Sequence, residues 1–247
     1  MKKLIKILIE ILYPPICIGC QKMVSAYGTV CSECWKDLQF ITKPYCPIMG
    51  IPFACDMGDG FLSGEAIQNS LPFSRVRSVV VHKGIAQALV AQLKYGDYVE
   101  LASFMANWMM NAGREIIEDC DVIIPVPLHF YRFIRRRYNQ SAELARYIAV
   151  KKKKTFKPSW LVRCQHTRPQ VNLSARERKF NVLNAFKVPR KFQKHLVGCS
   201  ILLIDDVFTT GATVAAATTA LKHAGVRKVD VLTFSRALEE GPISPNS

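Results

Sequence analysis

The sequence predicts an α/β fold, with a mostly parallel sheet covered by helices on both faces and a small cysteine-rich module ahead of it. Three observations support this prediction. Apolar runs alternate with helical patterns after residue 72, two C-x-x-C pairs stand near the start, and the hydrophobic and charged fractions, 49% and 21%, are typical of globular chains. We therefore predict two domains, residues 1–70 and 71–247.

Each element of the second domain has its own signal, because buried strands have continuous apolar runs and helices have a period of 3.6 residues. The predicted strands are 77–83, 120–127, 159–164, 195–205 and 226–237. The predicted helices are 84–95, 98–112, 139–151 and 212–224, with 173–185 as a further candidate.

The first fifteen residues, MKKLIKILIEILYPP, look at first like a signal peptide. Lys6 and Glu10 interrupt the apolar stretch, however, and no small-residue cleavage site follows. We expect an amphipathic helix that packs on the protein or on a partner, with weak membrane contact as the alternative. The residues of its apolar face are Leu4, Ile5, Leu8, Ile11 and Leu12.

No apolar run reaches the length of a bilayer span, so we do not expect a transmembrane protein. The chain has nine cysteines and no secretion signal, which favours a reducing compartment. We therefore expect a cytoplasmic protein, with a peripheral place at the inner face of the membrane as the second option.

Two C-x-x-C pairs, CIGC at 17–20 and CSEC at 31–34, predict a zinc site. Each pair can form a tight turn that directs both sulfurs at one ion, and two such turns complete a tetrahedral thiolate shell. The predicted ligands are Cys17, Cys20, Cys31 and Cys34. Because thiolates fill all four positions, the zinc would be structural.

Cys46 and Cys55 resemble the remains of a second ribbon. Met49 and Gly58 stand where the other cysteine of each pair would be, and two thiolates alone rarely hold zinc. We predict that this second half is free of metal. The remaining cysteines lie in apolar surroundings and are expected to be buried thiols; they are Cys120, Cys164 and Cys199.

The formal net charge of +15 is concentrated in one part of the chain. Residues 1–70 hold six Lys and six acidic residues, whereas residues 128–195 hold 19 Lys or Arg against Glu143 and Glu177 alone, a net charge of +17. This concentration favours a polyanion, a phosphate ligand or both. The alternative is a solvated surface without a partner.

The stretch ILLIDDVFTTGAT, residues 201–213, joins an apolar strand to two acids and a turn rich in hydroxyls. Gly211 lets the backbone approach a ligand, and N–H groups at the next helix start can bind one anion. Asp205 and Asp206 suit ribose hydroxyls or Mg²⁺. The pattern predicts a site for a ribose 5-phosphate. A plain helix N-cap would explain one threonine but not the two acids.

This stretch resembles the phosphoribosyl-pyrophosphate (PRPP) motif of type I phosphoribosyltransferases, and implies their fold for residues 71–247. By that resemblance Asp205 and Asp206 hold the ribose hydroxyls and Mg²⁺, and the following loop binds the 5-phosphate. The loop residues are Thr209, Thr210, Gly211, Ala212 and Thr213. Purine-salvage members often have an aspartate at the position of Thr209, so its absence argues against purine salvage.

Several further motifs occur in an order that resembles the ComF/ComFC competence family over nearly the full length. After the cysteine-rich ribbon come LKYGDYVELA (93–102), PVPLHF (125–130), RRRYNQSAELA (135–145), RPQVNLSARERKFNVLNAF (168–186) and the PRPP motif. The resemblance implies a role in natural transformation, handling single-stranded DNA on the cytoplasmic side of the uptake channel. Arg137 departs from the family pattern, which has glycine at this position.

Other polar residues are candidates for pyrophosphate. The resemblance supports such a role for Lys94, although a lysine at a helix end can simply be a cap. Guanidinium forks match phosphate oxygens, which makes one arginine-rich loop a second candidate. Its arginines are Arg132, Arg135, Arg136 and Arg137. Asn139 and Gln140 are expected to cap the next helix and fix this loop, and His129 is expected to be incidental.

Candidate DNA contacts lie in two basic stretches. One stretch is interpreted as a flap over the site or as a DNA track; its residues are Arg168, Arg176, Arg178 and Lys179. Lys151 and Lys152 either complement the helix dipole or contact DNA phosphates. Aromatic side chains among the basic residues could stack on bases or pack in the core. They are Tyr131, Phe133, Tyr138, Phe156 and Trp160.

Three functions remain open on the sequence. The first is a DNA-uptake protein that binds single-stranded DNA and, with Mg²⁺, PRPP or a related ligand. The second is an active phosphoribosyltransferase with an unknown acceptor, for which we assign no catalytic residue. The third is an adaptor whose ribbon and first helix bind another uptake protein, such as a helicase at the inner membrane. The charge of residues 128–195 favours the first.

Overall fold

The computed structural model describes residues 13–58, 60–95, 99–128, 138–164 and 185–238. In chain order the elements are α1 (Ser32–Asp37), α2 (Gly64–Gln68), β1 (Arg75–Val81), α3 (Gly84–Tyr95), α4 (Val99–Ala112), α5 (Arg114–Glu118), β2 (Val122–Pro125), α6 (Gln140–Lys152), β3 (Thr155–Phe156), β4 (Val162–Arg163), β5 (Phe186–Lys187), α7 (Arg190–Leu196), β6 (Ser200–Phe208), α8 (Ala212–His223) and β7 (Lys228–Arg236).

The main sheet has five parallel strands in the order β1-β7-β6-β2-β3. Apolar residues alternate between its faces: Leu202 and Ile204 of β6 pack with the helices α3 to α6, whereas Ile201 and Leu203 pack with α8. Because both faces are covered, the strands carry continuous apolar runs. The predicted α/β class, with its small four-cysteine module, is confirmed.

The short strands β4 and β5 pair antiparallel in a separate small sheet. The strand predicted at 159–164 is thus reduced to Val162–Arg163. The helix predicted at 173–185 lies outside the described residues apart from its last position. The other predicted strands and helices are confirmed to within two residues at each end, except β6.

The strand predicted at 195–205 is displaced in the structure. Residues 190–196 form the short helix α7, Gly198 turns the chain with a φ of 77°, and β6 begins only at Ser200. A positive φ suits glycine and breaks an extended strand, so the apolar residues before it cannot belong to β6. At its other end β6 continues through Asp205 and Asp206 to Phe208.

The cysteine-rich module docks on β1, an edge strand of the sheet. Backbone hydrogen bonds join Ile41 N to Val79 O at 2.8 Å and Val76 N to Ile48 O at 2.7 Å, so two segments of the module lie along this strand. The ring of Phe40 packs 5.2 Å from that of Trp108 on α4. The module thereby covers an edge that would otherwise be open to pairing with other chains.

Candidate ribose-phosphate site and zinc ribbon

Two carboxylates lie side by side near the end of β6. Ser141 Oγ donates a 2.9 Å hydrogen bond to Asp205 Oδ1, which also accepts one from the backbone N–H of Asp206 at 3.0 Å. Burial raises the pKa of Asp205 to about 7, and the charge of Asp206 acts in the same direction. Such a pair is costly to keep ionised alone, and a cation or hydrogen-bond donors would relieve it.

Lys94, in the last turn of α3, supplies a cation next to this pair. Its Nζ lies 3.1 Å from Asp206 Oδ2, and both side chains are largely buried. The Tyr138 hydroxyl donates to Leu93 O, and Gln140 Nε2 lies 3.5 Å from Lys94 O. The start of α6 therefore holds the end of α3 in place. Lys94 is brought to the carboxylates, as a ligand-binding role requires.

The loop after β6 exposes an open helix start. Thr209 and Thr210 are exposed, and Gly211 occupies the N-cap of α8 with a φ of 72°. Gly211 has no side chain to cap the helix, and Thr210 Oγ1 accepts from Ala212 N over a long 3.5 Å. A Cβ at Gly211 would lie 2.7 Å from Phe208 Cζ, so only glycine fits. The first N–H groups of α8 have no acceptor within the helix and carry its positive dipole end. This geometry suits a phosphate.

The sequence prediction missed His82, which lies beside the same cluster. Its Nδ1 and Ser235 Oγ are 2.8 Å apart. Burial lowers the pKa of His82, the charge of Lys94 lowers it further, and the charge of Asp206 opposes both. One sequence signal could have identified His82: it directly follows the predicted strand β1. The carboxyl ends of parallel strands meet at one edge of the sheet, where ligands bind.

Many of the basic, aromatic and histidine residues singled out in the sequence lie outside the described residues. These are His129, Tyr131, Arg132, Phe133, Arg135, Arg136, Arg137, Arg168, Arg176, Arg178 and Lys179. The predicted cap is confirmed: Asn139 Oδ1 accepts the N–H of Ser141 at 3.1 Å at the start of α6. Asn139 also donates to Val126 O at 3.1 Å, which ties this helix to the end of β2.

Lys151 and Lys152 are both exposed in the last turn of α6, a position that fits either prediction made for them. Lys154, by contrast, donates to the carbonyls of Glu118 and Cys120, both at 2.8 Å, and is part of the fold. Of the aromatic candidates, Phe156 packs against the core and Trp160 is half-buried.

The four predicted zinc ligands come together at one point. One sulfur from each of Cys17, Cys20, Cys31 and Cys34 lies within 4.8 Å of the others. Zn–S bonds of about 2.3 Å in a tetrahedron require sulfurs this close, so the cluster suits structural zinc. Burial raises the pKa of Cys17, but backbone N–H groups outweigh it and lower that pKa to about 6, whereas burial and the neighbouring thiols raise the pKa of Cys34. A bound Zn²⁺ would favour the thiolate form of all four.

The second half of the module, residues 46–66, repeats the first turn of the first half, residues 17–34. Cys17 N donates to Lys22 O at 2.7 Å, and Cys46 N donates to Ile51 O at 2.8 Å. The residue that closes each turn has positive φ, 64° at Gln21 and 62° at Gly50. Met49 therefore occupies the position of Cys20.

The helix that follows is repeated as well. Cys31 caps α1 and gives its N–H to Cys17 Sγ at 3.2 Å; Ser63 caps α2 and gives its N–H to Cys46 Sγ at 3.4 Å. The second half thus carries one thiol, and its other three ligand positions hold a thioether, a hydroxyl and a methyl group. The corresponding residues are Met49, Ser63 and Ala66.

This equivalence corrects one part of the sequence prediction. Met49 does replace a ligand, but Cys55 and Gly58 are not the second pair: both are exposed, and Cys55 Sγ contacts Met57 Sδ at 3.7 Å. The true positions carry no thiol, so the sequence could not mark them.

The prediction of three buried thiols is confirmed only for Cys120. Cys164 is exposed and Cys199 is partly exposed, because one follows the small β4 strand and the other lies in the turn before β6. Among the residues that the structure describes, no helix is both long and apolar enough to cross a membrane.

Comparison with known proteins agrees with this architecture. Residues 8–65 match the double zinc ribbon domain family. Over 231 residues the chain is 30% identical to the DNA utilization protein YhgH of Salmonella typhimurium, covering 91% of this chain and 98% of that protein. It is 25% identical to competence protein F of Haemophilus influenzae, covering 90% of each.

Among solved structures, orotate phosphoribosyltransferase from Aeropyrum pernix aligns with 55% of this chain and 71% of its own chain, at 14% identity and a TM-score of 0.33. The sequence relatives carry the assignment: the chain shares 30% identity with YhgH over nine-tenths of its length and also matches competence protein F and, over 79% of its length, competence protein ComFC of Bacillus subtilis, so it belongs to the ComF competence family.

Proposed function

We propose that this protein handles single-stranded DNA during DNA uptake or use, and that its α/β domain binds PRPP or a related phosphorylated ribose together with Mg²⁺. The names of its relatives support the first half of this proposal, since they refer to DNA utilization and competence. The protein would act in the cytoplasm beside other uptake proteins. The basic composition of residues 128–195 suits a polyanion.

The second half rests on one observation: Asp205, Asp206 and Lys94 converge beside the open N-terminus of α8. Carboxylates suit the two ribose hydroxyls and Mg²⁺, and the helix start with Gly211 suits the 5-phosphate. Lys94 would turn from Asp206 towards the pyrophosphate once Mg²⁺ neutralises the carboxylate. A ribose carrying phosphates at both ends matches all of these groups at once.

Calorimetric titration of PRPP into the protein, with and without Mg²⁺, tests the site. Asp206→Asn should weaken binding at least tenfold and remove most of its Mg²⁺ dependence. Glu118→Gln is the matched control, because this acid pairs with Arg114 on the surface of α5, away from the carboxylate pair. Equal binding by wild type and Asp206→Asn would refute the site.

Fluorescence anisotropy of a labelled single strand over a salt series tests the DNA half. We expect affinity to fall steeply with salt, because each phosphate contact releases counterions. An absence of binding at low salt would refute this half. Release of pyrophosphate from PRPP, followed in the same samples, would instead identify a transferase.

A further inference from the structure

Three planar side chains from two elements lie next to each other on the side of the molecule where β3 ends. Trp160, before β4, stacks on the His195 ring of α7 with centroids 5.8 Å apart and planes 19° apart. Phe192 of the same helix lies 6.0 Å from Trp160 at 31°. We call this cluster and its neighbouring lysines the α7 patch. Its residues are Lys157, Trp160, Lys191, Phe192, Lys194 and His195.

The rings of the patch are held in place by the core and remain partly accessible to a ligand. Trp160 and Phe192 are half-buried and pack on the core layer that also holds α8, while His195 is exposed. Trp160 and His195 are each followed in the chain by a fully buried residue, Leu161 and Leu196. A fixed ring stacks on a ligand with little loss of side-chain entropy.

Cations surround these rings without acidic partners. Lys157 Nζ lies 5.4 Å from the centre of the Trp160 ring, and Lys191 Nζ lies 4.9 Å from that of Phe192. The ion pairs among the described residues involve none of the three patch lysines. The stretch between Glu177 and Asp205, which contains Lys191 and Lys194, has no acidic residue.

The small sheet beside the patch fixes both ends of another basic stretch. Cys164 N donates to Ala185 O at 2.8 Å, and β4 pairs antiparallel with β5. The chain between them carries the predicted contacts Arg168, Arg176, Arg178 and Lys179. The stretch begins directly after Cys164, four residues from Trp160, and ends before Ala185, five residues from Arg190. Both of its ends are therefore close to the patch along the chain.

We propose that the α7 patch is the surface on which the unpaired strand binds, with bases stacked on Trp160, Phe192 and His195 and phosphates on the lysines. This inference rests on the proposed DNA function and locates it. An acidic peptide would use the charge alone, and a duplex keeps its bases stacked on one another. An unpaired strand offers both open base faces and a regular row of phosphates.

Anisotropy of fluorescein-labelled dT20 with the zinc-loaded full chain tests the charges. Lys191→Ala/Lys194→Ala should weaken binding at least fivefold and reduce the slope of log affinity against log salt by about 1.4, since each phosphate contact on a single strand contributes roughly 0.7. Lys36→Ala/Lys43→Ala is the matched control, because it removes two exposed charges from the cysteine-rich module, and we expect it to change affinity less than twofold. Lys151→Ala/Lys152→Ala tests the competing surface at the end of α6, and the patch predicts that it too changes affinity less than twofold.

Quenching of tryptophan fluorescence at a saturating concentration of the same unlabelled strand tests the stacking, because it reports on the ring that the bound bases contact. The chain has three tryptophans, and Trp35→Phe should keep the quenching whereas Trp160→Phe should lose it while still binding DNA. Circular dichroism melting checks that each variant is folded. Retained quenching in Trp160→Phe overturns the stacking assignment.

The outcomes separate this inference from the function it rests on. If wild type binds dT20 and the Lys191/Lys194 variant binds equally well, the patch is wrong and the DNA function stands. If the Lys151/Lys152 variant alone loses affinity, the strand lies on α6. If wild type does not bind at low salt, both the patch and the DNA function are overturned.

Discussion

In the first half of the ribbon, the sulfurs of four cysteines lie within 4.8 Å of one another. In the second half, the same turn and helix enclose Met49, which has no exposed surface. The second half is continuous with the main core, since Cys46 and Met49 pack with Val76 of β1. The first half reaches the core only through partly buried residues such as Ile18 and Val30. The same backbone turn and helix can therefore be stabilised in two ways: by a metal site in the first half, and by apolar packing against the sheet in the second.

Each half also supports a different side of the candidate site. Gly19 O of the first half accepts from Gln92 Nε2 at 3.4 Å, and Asp37 Oδ2, at the end of the helix α1 that completes it, accepts from Ile85 N at 2.6 Å. Both contacts brace the helix that carries Lys94. In the second half, the carbonyl of Met49 accepts from Arg236. The two halves therefore support Lys94 and the candidate phosphate loop, residues 209–213, from separate sides.

Removal of zinc should have the largest effect and should separate the two halves. Structural zinc contributes on the order of 10 kcal/mol to the folding of zinc-finger peptides, so Cys34→Ser or a chelator should unfold the first half. Hydrogen exchange should then rise over residues 13–37 and stay slow in β6 and β7.

Metal analysis tests the contrast directly. We expect one zinc per chain, still present in Cys46→Ala and absent in Cys34→Ser. Two zincs per chain, or a loss of zinc in Cys46→Ala, would show that the second half also binds metal and would remove the basis of the comparison.

The apolar half should fail in a different way. Met49→Ala leaves a cavity in a fully buried site and should lower the free energy of unfolding by about 2–5 kcal/mol without changing the zinc content. Urea unfolding measures this loss. Met57→Ala is the comparison, because Met57 is 47% exposed and should cost little. Zinc loss in Met49→Ala would mean that the halves fold as one unit.

The sequence predicted best what depends on local patterns. The strands β6 and β7 and the helices α3, α4, α6 and α8 have continuous or periodic apolar residues, and the C-x-x-C pairs specify their own turn. The predicted start of β6 was wrong because the apolar residues before Gly198 resemble part of a strand. The positive φ at Gly198, which separates those residues from β6, has no signature in the hydrophobic pattern.

The missed features depend on contacts far apart in the chain. Ser63 and Ala66 occupy the positions of metal ligands but have no metal-binding side chain. The sequence analysis therefore assigned Cys55 to the second ribbon instead. Arg236 contacts Met49, which lies 187 residues away in the sequence, and no local pattern reports that contact. The carboxylate pair and the glycine turn could be recognised in the sequence because the residues that form this part of the candidate site are close neighbours along the chain.

A substitution of Arg236 tests most directly whether the second half supports the candidate phosphate loop, residues 209–213. It is buried, donates to Met49 O, lies 3.4 Å from Glu65 Oε2, and stacks 4.6 Å over the Phe208 ring that contacts Gly211. Arg236→Met should cost roughly 2–3 kcal/mol, because a buried carbonyl loses its partner. PRPP affinity should fall as well, since the ring beneath Gly211 loses its support.

Arg227→Met is the counterpart for this test. Arg227 also bonds a carbonyl and a hydroxyl, those of Gly198 and Ser200, but at the opposite end of β6. It should lower stability without a specific effect on PRPP binding. Equal losses of PRPP affinity in both variants would show that Arg236 acts through global stability alone.

Asp37 should give the smallest effect and tests the first half in the same way. Its carboxylate caps the start of α3, so Asp37→Ala should cost about 1 kcal/mol and Asp37→Asn less, because asparagine is also a good cap. Asp56→Ala removes a carboxylate that accepts from Gly58 N in a loop of the second half, where no helix begins. If Asp37→Ala weakens PRPP binding at full zinc occupancy while Asp56→Ala does not, the first half acts on Lys94 through α3. If neither does, zinc and its turn stabilise the module without reaching the site.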